Sequence, residues 1–411
     1  MRKLLFLAVL VTQFCCIGAA RAAPDDTVMF IHGFLGWGRE ELFGIKYWGG
    51  IGQDYEVDLR NADIPAVTVA VGPMSSNWDR AVEAYYQMKG GCVDYGKAHA
   101  RQHNHERYGR CYKPLLQDWD DNHKVNIISH SMGGQTARVL VQLLKEGSAD
   151  ERAASGLYVA EIFKGGKSWV RSVTTLSAPH LGTTLTKGIY TLTFDLVEEL
   201  VSALAGVAAS SYSATSVYDF KLDQWGLARR SGETFRNYAT RVKTSRLFQS
   251  RHTKDLSSWD LSPEGATELN GWVKTQPDVY YFSLSTESTY ASPFTPTRYP
   301  IASTGAMLQP AGYWIGAYRK NDIASAAPNI DERWLLNDGV VNTISMRAPA
   351  DATVVPFDAE NPRRGVWNDM GVWEGWDHMD IVGHTWSLNA LDLKSPREWY
   401  LKHARFLRGL D

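Results

Sequence analysis

Ser131 is the side chain of this 411-residue chain best placed to attack a carbonyl carbon. It lies in Ser129-His130-Ser131-Met132-Gly133, after a strand-like run at 125–128 and before a helical pattern that ends near Gly147. A strand, a tight turn that carries a serine between small residues, and a helix form a nucleophile elbow. The usual pattern is Gly-x-Ser-x-Gly, and Ser129 replaces its first glycine. The pentapeptide alone therefore also fits an ordinary strand-to-helix turn.

A second motif could stabilise the negative charge that develops on an ester oxygen. Residues 27–31 read as a buried strand and run directly into His32-Gly33-Phe34. In esterases, a loop after an early strand supplies one N–H group for this charge, and the residue after the nucleophile supplies another. These donors would be the backbone amides of Phe34 and Met132. Two independent motifs in this chain order indicate a serine hydrolase.

A serine nucleophile also needs a histidine base and a carboxylate that orients it, in the chain order acid and then histidine. Asp338 is the best acid, because it follows an apolar run and precedes a glycine, as expected at the end of a strand. His378 lies in a loop-like stretch, whereas His403 lies in a helical pattern at 396–410. Spacing alone leaves His384 as a competitor of His378.

The elements that must position these side chains follow from the hydrophobic pattern. Strand-like runs occur at 27–31, 66–71, 125–128, 170–176 and 279–285. Residues 74–118 are rich in His, Gly, Tyr and charge, and they look like an insertion rather than core. Residues 286–330 look irregular. The length and the 44% hydrophobic content allow one large α/β domain with insertions, or two smaller domains.

Residues 183–250 are mostly helical by pattern. A wide apolar face recurs along one helix of this region, at Val197, Leu200, Val201, Leu204, Ala205 and Ala208. A helix packed permanently on the core would show the same pattern. Because the insertion lies between the nucleophile and the rest of the triad, we expect residues 191–210 to form a lid that turns toward lipid when open.

The first 22 residues read as a secretory signal peptide. Arg2 and Lys3 are followed by an apolar run at 4–11 and by the cleavage site Ala20-Arg21-Ala22, so we expect a secreted chain that starts near Ala23. The apolar run is too short for a membrane anchor, and no later segment reads as a span. The formal net charge of −2 argues against a nucleic-acid partner.

Two cysteines remain once the signal peptide is removed. Cys15 and Cys16 leave with the signal, whereas Cys92 and Cys111 stay in the mature chain. In an exported protein an even pair predicts a disulfide, with two free buried thiols as the alternative.

Together these segments resemble the zinc-containing thermoalkalophilic bacillar lipases and their staphylococcal relatives, over residues 27–379. Specific motifs that carry the likeness are His32-Gly33-Phe34-Leu35-Gly36-Trp37-Gly38-Arg39-Glu40-Glu41, Tyr47-Trp48-Gly49-Gly50, Ser75-Ser76-Asn77-Trp78-Asp79-Arg80 and Asn337-Asp338-Gly339-Val340-Val341. The resemblance implies an α/β-hydrolase fold with a central, mostly parallel sheet, a helical lid insertion and a small zinc-binding extra domain. It also implies hydrolysis of triacylglycerols at an oil–water interface, and by motif it places the triad at Ser131, Asp338 and His378.

The same family holds a structural zinc ion with two aspartates and two histidines. The resemblance carries the first three ligands to Asp79, His99 and His105. The fourth falls on Asp255 by spacing back from Asp260-Leu261-Ser262, with Asp260 as the alternative. The insertion 74–118 and the segment near 255 would then form a zinc subdomain.

Members of this family also bind calcium near the catalytic histidine. Asp380 keeps the acidic residue two positions after that histidine, but the Asp-Pro that follows in the family is replaced near Thr385 and Trp386. Calcium needs several oxygen ligands, and Asp380 is the only carboxylate of that site that the chain clearly keeps, so the sequence leaves open whether calcium is bound.

Two other functions fit the same residues. A carboxylesterase that acts on shorter-chain esters would use the same triad, and a catalytically silent homologue could bind lipid or a partner. The complete set of serine, acid, histidine and His-Gly-Phe argues against the silent protein. The lid-like helix favours a lipase over an esterase.

Overall fold

The computed structural model describes residues 26–188, 218–249, 253–319, 328, 330–384 and 395–411. The predicted signal peptide and the predicted lid helix at 191–210 lie outside these residues, as do Thr385 and Trp386. None of the helices in the described segments has the length and apolar character needed to cross a bilayer.

The strands of the described segments form one large sheet and two small ones. They are, in chain order, β1 (Thr27–Ile31), β2 (Ala66–Val69), β3 (Gly91–Asp94), β4 (Tyr108–Tyr112), β5 (Val125–His130), β6 (Val170–Leu176), β7 (Tyr280–Glu287), β8 (Thr289–Ala291), β9 (Arg298–Pro300), β10 (Val354–Pro356) and β11 (Trp367–Glu374). The large sheet has the order β10-β11-β7-β6-β5-β1-β2, and all its neighbours are parallel. The prediction of a central parallel sheet is confirmed.

Helices cover both faces of this sheet. The described α-helices are α1 (Tyr55–Asn61), α2 (Asn77–Lys89), α3 (Lys97–His103), α4 (Met132–Glu146), α5 (Ala149–Ser155), α6 (Phe235–Lys243), α7 (Arg246–Gln249), α8 (Ser257–Asp260), α9 (Pro263–Trp272), α10 (Gln309–Ala317) and α11 (Arg397–Arg408). Helices α1 and α11 pack in one core layer, and α2 and α4 pack in the other.

Strand β1 shows why the strands read as continuous apolar runs. Val28 and Phe30 point into the layer with α11, while Met29 and Ile31 point into the layer with α4. Successive side chains of a strand alternate between faces, and both faces of a parallel sheet are covered. Every position of the strand is therefore buried, and all but Thr27 are apolar.

The order of the strands brings the two proposed site loops together. Strand β1 pairs with β2 on one side and with β5 on the other, so the direction of the chain through the sheet reverses beside β1. Ligand sites of open parallel sheets form at the carboxyl ends of the strands at such a reversal. His32-Gly33-Phe34 follows β1 and Ser131 follows β5, so both loops leave the sheet at this point.

The predicted insertion at 74–118 is heterogeneous. Its first part is α2, whose Ala81, Val82 and Met88 are fully buried in the core layer with α4. The stretch from β3 to β4, with α3 between them, forms a small sheet of its own. The expectation that residues 74–118 lie outside the core is therefore wrong for α2, because its apolar side chains cover the sheet.

The predicted disulfide between Cys92 and Cys111 is confirmed. The two cysteines are directly opposed residues of β3 and β4. The bond therefore closes the base of the loop that carries α3.

Candidate functional site

The backbone at Ser131 has the strained geometry of a nucleophile turn. Its φ of 55° lies in the left-handed region, which non-glycine residues rarely occupy, and α4 begins at the next residue. Its N–H donates to the carbonyl of Leu176 on the neighbouring strand, at 2.8 Å. The turn thus lifts the serine out of the strand and fixes its main chain against β6.

Two glycines allow the turn and the loop after β1 to approach each other. A Cβ atom at Gly33 would lie 2.6 Å from the Cβ of Ser131, and one at Gly133 would lie 2.3 Å from the carbonyl oxygen of Ile31. Both positions therefore require glycine. Met132 is the first residue of α4, so its N–H has no acceptor within the helix and can serve a ligand. The sequence-predicted donor Phe34 lies in the adjoining loop, residues 32–36, which we call the oxyanion loop.

The structure brings His378 and Asp338 together. His378 Nδ1 lies 2.7 Å from Asp338 Oδ2, and both side chains are buried. The N–H of His378 also donates to the carbonyl of Asp338, at 2.9 Å. Because the carboxylate can only accept, Nδ1 carries the proton and Nε2 keeps a lone pair, as a general base requires.

His378 lies beside the nucleophile turn. Its ring is 4.6 Å, centroid to centroid, from that of His130, the residue before Ser131. His384, the competitor by spacing, instead donates from Nε2 to the carbonyl of Tyr47 at 3.1 Å, and complete burial lowers its pKa to about 4. His403 packs with its ring stacked on Trp399. We call residues 375–384 the histidine loop.

The sequence predicted that Asp338 lies at the end of a strand, and this prediction is wrong. Asp338 follows the 3-10 turn Glu332–Leu335 and lies in a tight loop, where its Oδ1 accepts the N–H groups of Val340 and Val341. Sequence analysis also missed Thr286, at the end of β7, whose hydroxyl donates to Asp338 Oδ2 at 2.8 Å. The only sequence feature that could have indicated Thr286 is its hydroxyl side chain near the end of an apolar strand.

A second constellation gathers the four residues carried over as metal ligands. Asp79, His99, His105 and Asp255 each offer a ligand atom, and these atoms all lie within 4.8 Å of one another. His99 Nε2 is 3.2 Å from a carboxylate oxygen of Asp79 and of Asp255, and His105 Nε2 is 3.2 Å from Asp255. The alternative ligand Asp260 instead accepts the N–H of Asn77 at the start of α2.

The chemistry of this quartet fits a cation. Within the described residues, His105 Nε2 and both carboxylate oxygens of Asp255 are buried without a hydrogen-bond partner. Burial lowers the pKa of His99, but Asp255 and Asp79 outweigh that effect and raise it to about 10, so the cluster favours positive charge at its centre. Neighbours orient the ligands, since His105 Nδ1 donates to the carbonyl of Glu106 and Gln224 donates to Asp79.

The carboxylate of Asp380, the residue considered for calcium, lies in the histidine loop. Its side chain is buried, and Oδ2 accepts the N–H of Asp377 at 3.0 Å. The positions at which the family sequence departs, Thr385 and Trp386, lie outside the described residues. The contact with Asp377 gives Asp380 a role in closing the histidine loop.

Residues 24–403 match a family described as "Lipase-like, C-terminal domain". Among curated proteins, the chain is similar to the lipase of Staphylococcus hyicus, with 35% identity over 377 residues. That match covers 90% of this chain and 55% of the relative. A lipase of Staphylococcus epidermidis is 33% identical, with 52% of its length covered. The chain thus spans about half the length of these curated relatives.

Two solved structures are similar over nearly the whole chain. Lipase 1 from Pelosinus fermentans has a TM-score of 0.82 and 44% identity, and the match covers 94% of this chain and 100% of that one. EstA from Clostridium botulinum has a TM-score of 0.86 and 40% identity, with 94% and 88% covered. With the parallel sheet described above, these likenesses confirm the predicted α/β-hydrolase fold.

Proposed function

The chain belongs to the "Lipase-like, C-terminal domain" family, and from this premise we propose that it is a lipase that hydrolyses carboxylic esters of lipids such as triacylglycerols. The observation that carries the proposal is the 2.7 Å contact between His378 and Asp338, in a loop that packs beside the strained turn of Ser131. A serine on a nucleophile turn, with an oriented histidine beside it, is equipped for acyl transfer.

The proposed reaction has two halves. Ser131 Oγ attacks the ester carbonyl carbon while His378 Nε2 takes the hydroxyl proton, and Asp338 stabilises the imidazolium without taking that proton. The backbone N–H groups of Phe34 and Met132 bind the oxyanion. Collapse of the intermediate releases the alcohol, which receives the proton from His378, and leaves an acyl-enzyme on Ser131. Water activated by His378 then releases the fatty acid and restores the serine.

Hydrolysis of p-nitrophenyl esters of increasing acyl length tests the proposal. Ser131→Ala should lower kcat by several powers of ten with the fold unchanged. A serine-reactive phosphonate should label Ser131. Ser172→Ala, which removes another buried serine hydroxyl, on β6, is the matched control and should keep wild-type turnover.

The outcomes separate the alternatives. A preference for long acyl chains supports a lipase, and a preference for short ones supports a carboxylesterase. A wild-type protein that binds lipid but hydrolyses none of the esters would instead be a silent homologue. Full activity in Ser131→Ala, or phosphonate labelling at another residue, would refute the proposed nucleophile.

We also propose that Asp79, His99, His105 and Asp255 hold one structural zinc ion. Two carboxylates and two imidazoles suit the charge and tetrahedral preference of zinc, and the ion would tie α2 and α3 to the segment at 255. Elemental analysis of protein purified without chelators should find about one zinc per chain. His99→Ala should lose the zinc. His103 lies one turn further along α3, beside His99 but outside the four proposed ligands, and His103→Ala should keep the zinc.

Secretion is part of the proposed function and rests on the amino-acid sequence of residues 1–22. Expression of the full chain in a bacterial host should release protein whose amino-terminal residue lies near Ala23. Protein recovered with Arg2 and Lys3 still attached, inside the cell, would contradict the proposal.

A further inference from the structure

Tyr47 and His130 lie between the oxyanion loop and the histidine loop, and the reaction as proposed gives neither of them a role. Both are buried: Tyr47 is 4% exposed and His130 is fully enclosed. Tyr47 follows the 3-10 turn Leu42–Gly44, and His130 is the last residue of β5, directly before Ser131. His130 is next to Ser131 in sequence and Tyr47 is close to it in space, but neither residue is one of the proposed reacting groups.

The hydrogen bonds of this pair have a single possible direction. The carbonyl of His378 can only accept, so the His130 Nε2 atom, 2.9 Å away, carries the proton. Complete burial lowers the pKa of His130 well below its usual value, so the ring is neutral and Nδ1 accepts. The hydroxyl of Tyr47 donates to that Nδ1 at 2.6 Å, and its oxygen accepts the N–H of Gly33 at 3.0 Å.

These bonds fix the main chain on both sides of the nucleophile. The N–H of Gly33 is bound to Tyr47, and its carbonyl accepts from His32 Nδ1 at 2.9 Å. Gly33 is thus held through both of its backbone groups, and its carbonyl belongs to the peptide that carries the N–H of Phe34. On the other side, the carbonyl of His378 is bound to His130 and its N–H to Asp338. The ring of His378 is thereby held with Nε2 free of these bonds.

We propose that Tyr47 and His130 form a positioning pair that sets the distance between the oxyanion loop and the histidine loop across the nucleophile turn. The inference rests on the proposed ester hydrolysis. The side-chain hydrogen bonds of the pair reach outward to backbone groups of Gly33 and His378, so the pair acts on the placement of the oxyanion donor and of the base. Arg80 of α2 holds the same oxyanion loop from the other side by donating to the carbonyl of His32, and it also donates to the carbonyl of Gly72 after β2.

A positioning pair predicts a specific kinetic signature. Misplacement of the donor and the base weakens binding of the transition state and leaves ground-state binding intact, so kcat falls while KM is unchanged. Tyr47→Phe keeps the ring and removes the hydroxyl. It should lower kcat on a soluble short-chain ester by roughly tenfold to a hundredfold, below the ~10²–10³ cost of losing an oxyanion donor itself. A boronic-acid transition-state analogue should bind more weakly by the same factor.

His130 provides an independent arm of the experiment. His130→Gln keeps an amide N–H that can reach the carbonyl of His378, whereas His130→Ala removes both bonds. Activity should therefore be lower in His130→Ala than in His130→Gln. Because both residues act through one chain of hydrogen bonds, the losses of kcat in Tyr47→Phe and His130→Ala should combine to less than their product in the double variant.

Tyr281→Phe is the matched control. Its hydroxyl is also buried and also accepts a backbone N–H, that of Gln276 at 3.0 Å, but it lies on β7 in the other core layer. Both variants should lose similar stability, and only Tyr47→Phe should lose kcat. Titration of active sites with the phosphonate restricts the comparison to folded molecules.

The failure of this inference can be told from failure of the proposed function. If wild type hydrolyses the ester, Ser131→Ala does not, and Tyr47→Phe keeps kcat and boronate affinity within twofold of wild type, the proposed function stands and the positioning pair is refuted. A wild type that hydrolyses no ester refutes both. A fall in kcat equal in Tyr47→Phe and Tyr281→Phe would show a general packing effect and would also refute the pair.

Discussion

Asp338 uses its two carboxylate oxygens for different contacts. Oδ1 accepts two N–H groups of its own loop, while Oδ2 accepts His378 Nδ1 and the hydroxyl of Thr286. The first set fixes the carboxylate and the second aims the imidazole. An acid held in this way can stabilise an imidazolium without moving toward it.

Asp338→Asn should therefore fold and bind metal but turn over slowly. An amide at this position can present N–H to His378 Nδ1, which favours the wrong tautomer, and kcat should fall by about ten-thousandfold. Steady-state kinetics with a soluble ester measure the loss. If Asp338→Asn kept wild-type turnover while Asp377→Asn lost it, Asp377 would be the acid. The contacts of Asp377 with the N–H groups of Met379, Asp380 and Gly305 instead give it a role in shaping the histidine loop.

His403 predicts a pH effect on stability rather than on catalysis. Burial lowers its pKa in the folded protein from 6.5 to about 3. Between pH 6.5 and 3, His403 is protonated in the unfolded chain but stays neutral in the folded protein. The contribution of the neutral, buried His403 to stability is therefore complete above pH 6.5 and is lost as the pH falls toward 3. Between pH 6.5 and 5, the unfolding free energy of wild type should fall by about 2 kcal/mol relative to that of His403→Gln.

Urea unfolding at both pH values measures this difference. His123→Gln changes a histidine whose side chain is 57% exposed and should follow the wild type. A constant difference between wild type and His403→Gln across the pH range would contradict the prediction.

At the scale of elements, α2 links the two constellations. Asp79 lies in its first turn and belongs to the metal quartet, while the next residue, Arg80, holds the oxyanion loop. The sequence pattern did not reveal this helix, because its buried side includes charged residues as well as Ala81, Val82 and Met88. Because α2 buries Asp79, Arg80 and Glu83, its apolar face is weak. The burial of these three charged side chains is explained only by the groups that they bind in the folded protein.

The strand pair β3–β4 holds the loop that presents His99 and His105. Replacement of both cysteines by alanine should destabilise the protein by about 3 kcal/mol in the chain-entropy account of disulfides. It should also weaken metal binding, because the open loop loses more conformational freedom when it is ordered by the ion. Urea unfolding and competition with a chelator measure the two effects, and unchanged metal affinity in the double variant would contradict the second.

Strands were predicted from the sequence more accurately than the elements around them. The run at 170–176 is β6 with the same bounds, because a strand buried on both faces is apolar throughout. Strand β11 was not predicted, since Asp369, Gly371 and Glu374 interrupt its apolar pattern and only its first two positions are buried. Helix α10 and the β8–β9 pair lie in the region expected to be irregular, where proline and small residues hide the short elements.

The site was only partly predictable, because local sequence patterns do not contain the contacts between distant segments. Local patterns identify Ser131 and the glycines that its turn requires. His378 and His384 lie in the same loop, and the choice between them depends on which ring faces Asp338 and the turn of Ser131, which no spacing rule contains. Residues such as Thr286, Tyr47 and His130 act through contacts between segments far apart in sequence.

At the scale of the whole molecule, the proposed zinc ligands (Asp79, His99, His105 and Asp255) and the proposed triad are separate groups of side chains. Removal of the metal should therefore lower thermal stability, on the order of 5 °C in Tm, before it lowers turnover at moderate temperature. Thermal melts and ester hydrolysis with and without a chelator test this order, and added zinc should restore the melting temperature. Loss of turnover at a chelator concentration that leaves Tm unchanged would place the metal in the reaction.

The two edge strands of the large sheet are short and offer few free backbone groups. Strands β2 and β10 have only four and three residues, and β10 ends in Pro356, which has no N–H to offer. Along β2, the side chain of Arg60 binds the carbonyl of Ala66, and Gln87 binds both the N–H and the carbonyl of Ala70. Among the residues that the structure describes, neither margin has a long row of free backbone groups to which a second molecule could add a strand. Copies crowded together on an oil droplet would accordingly resist edge-to-edge aggregation.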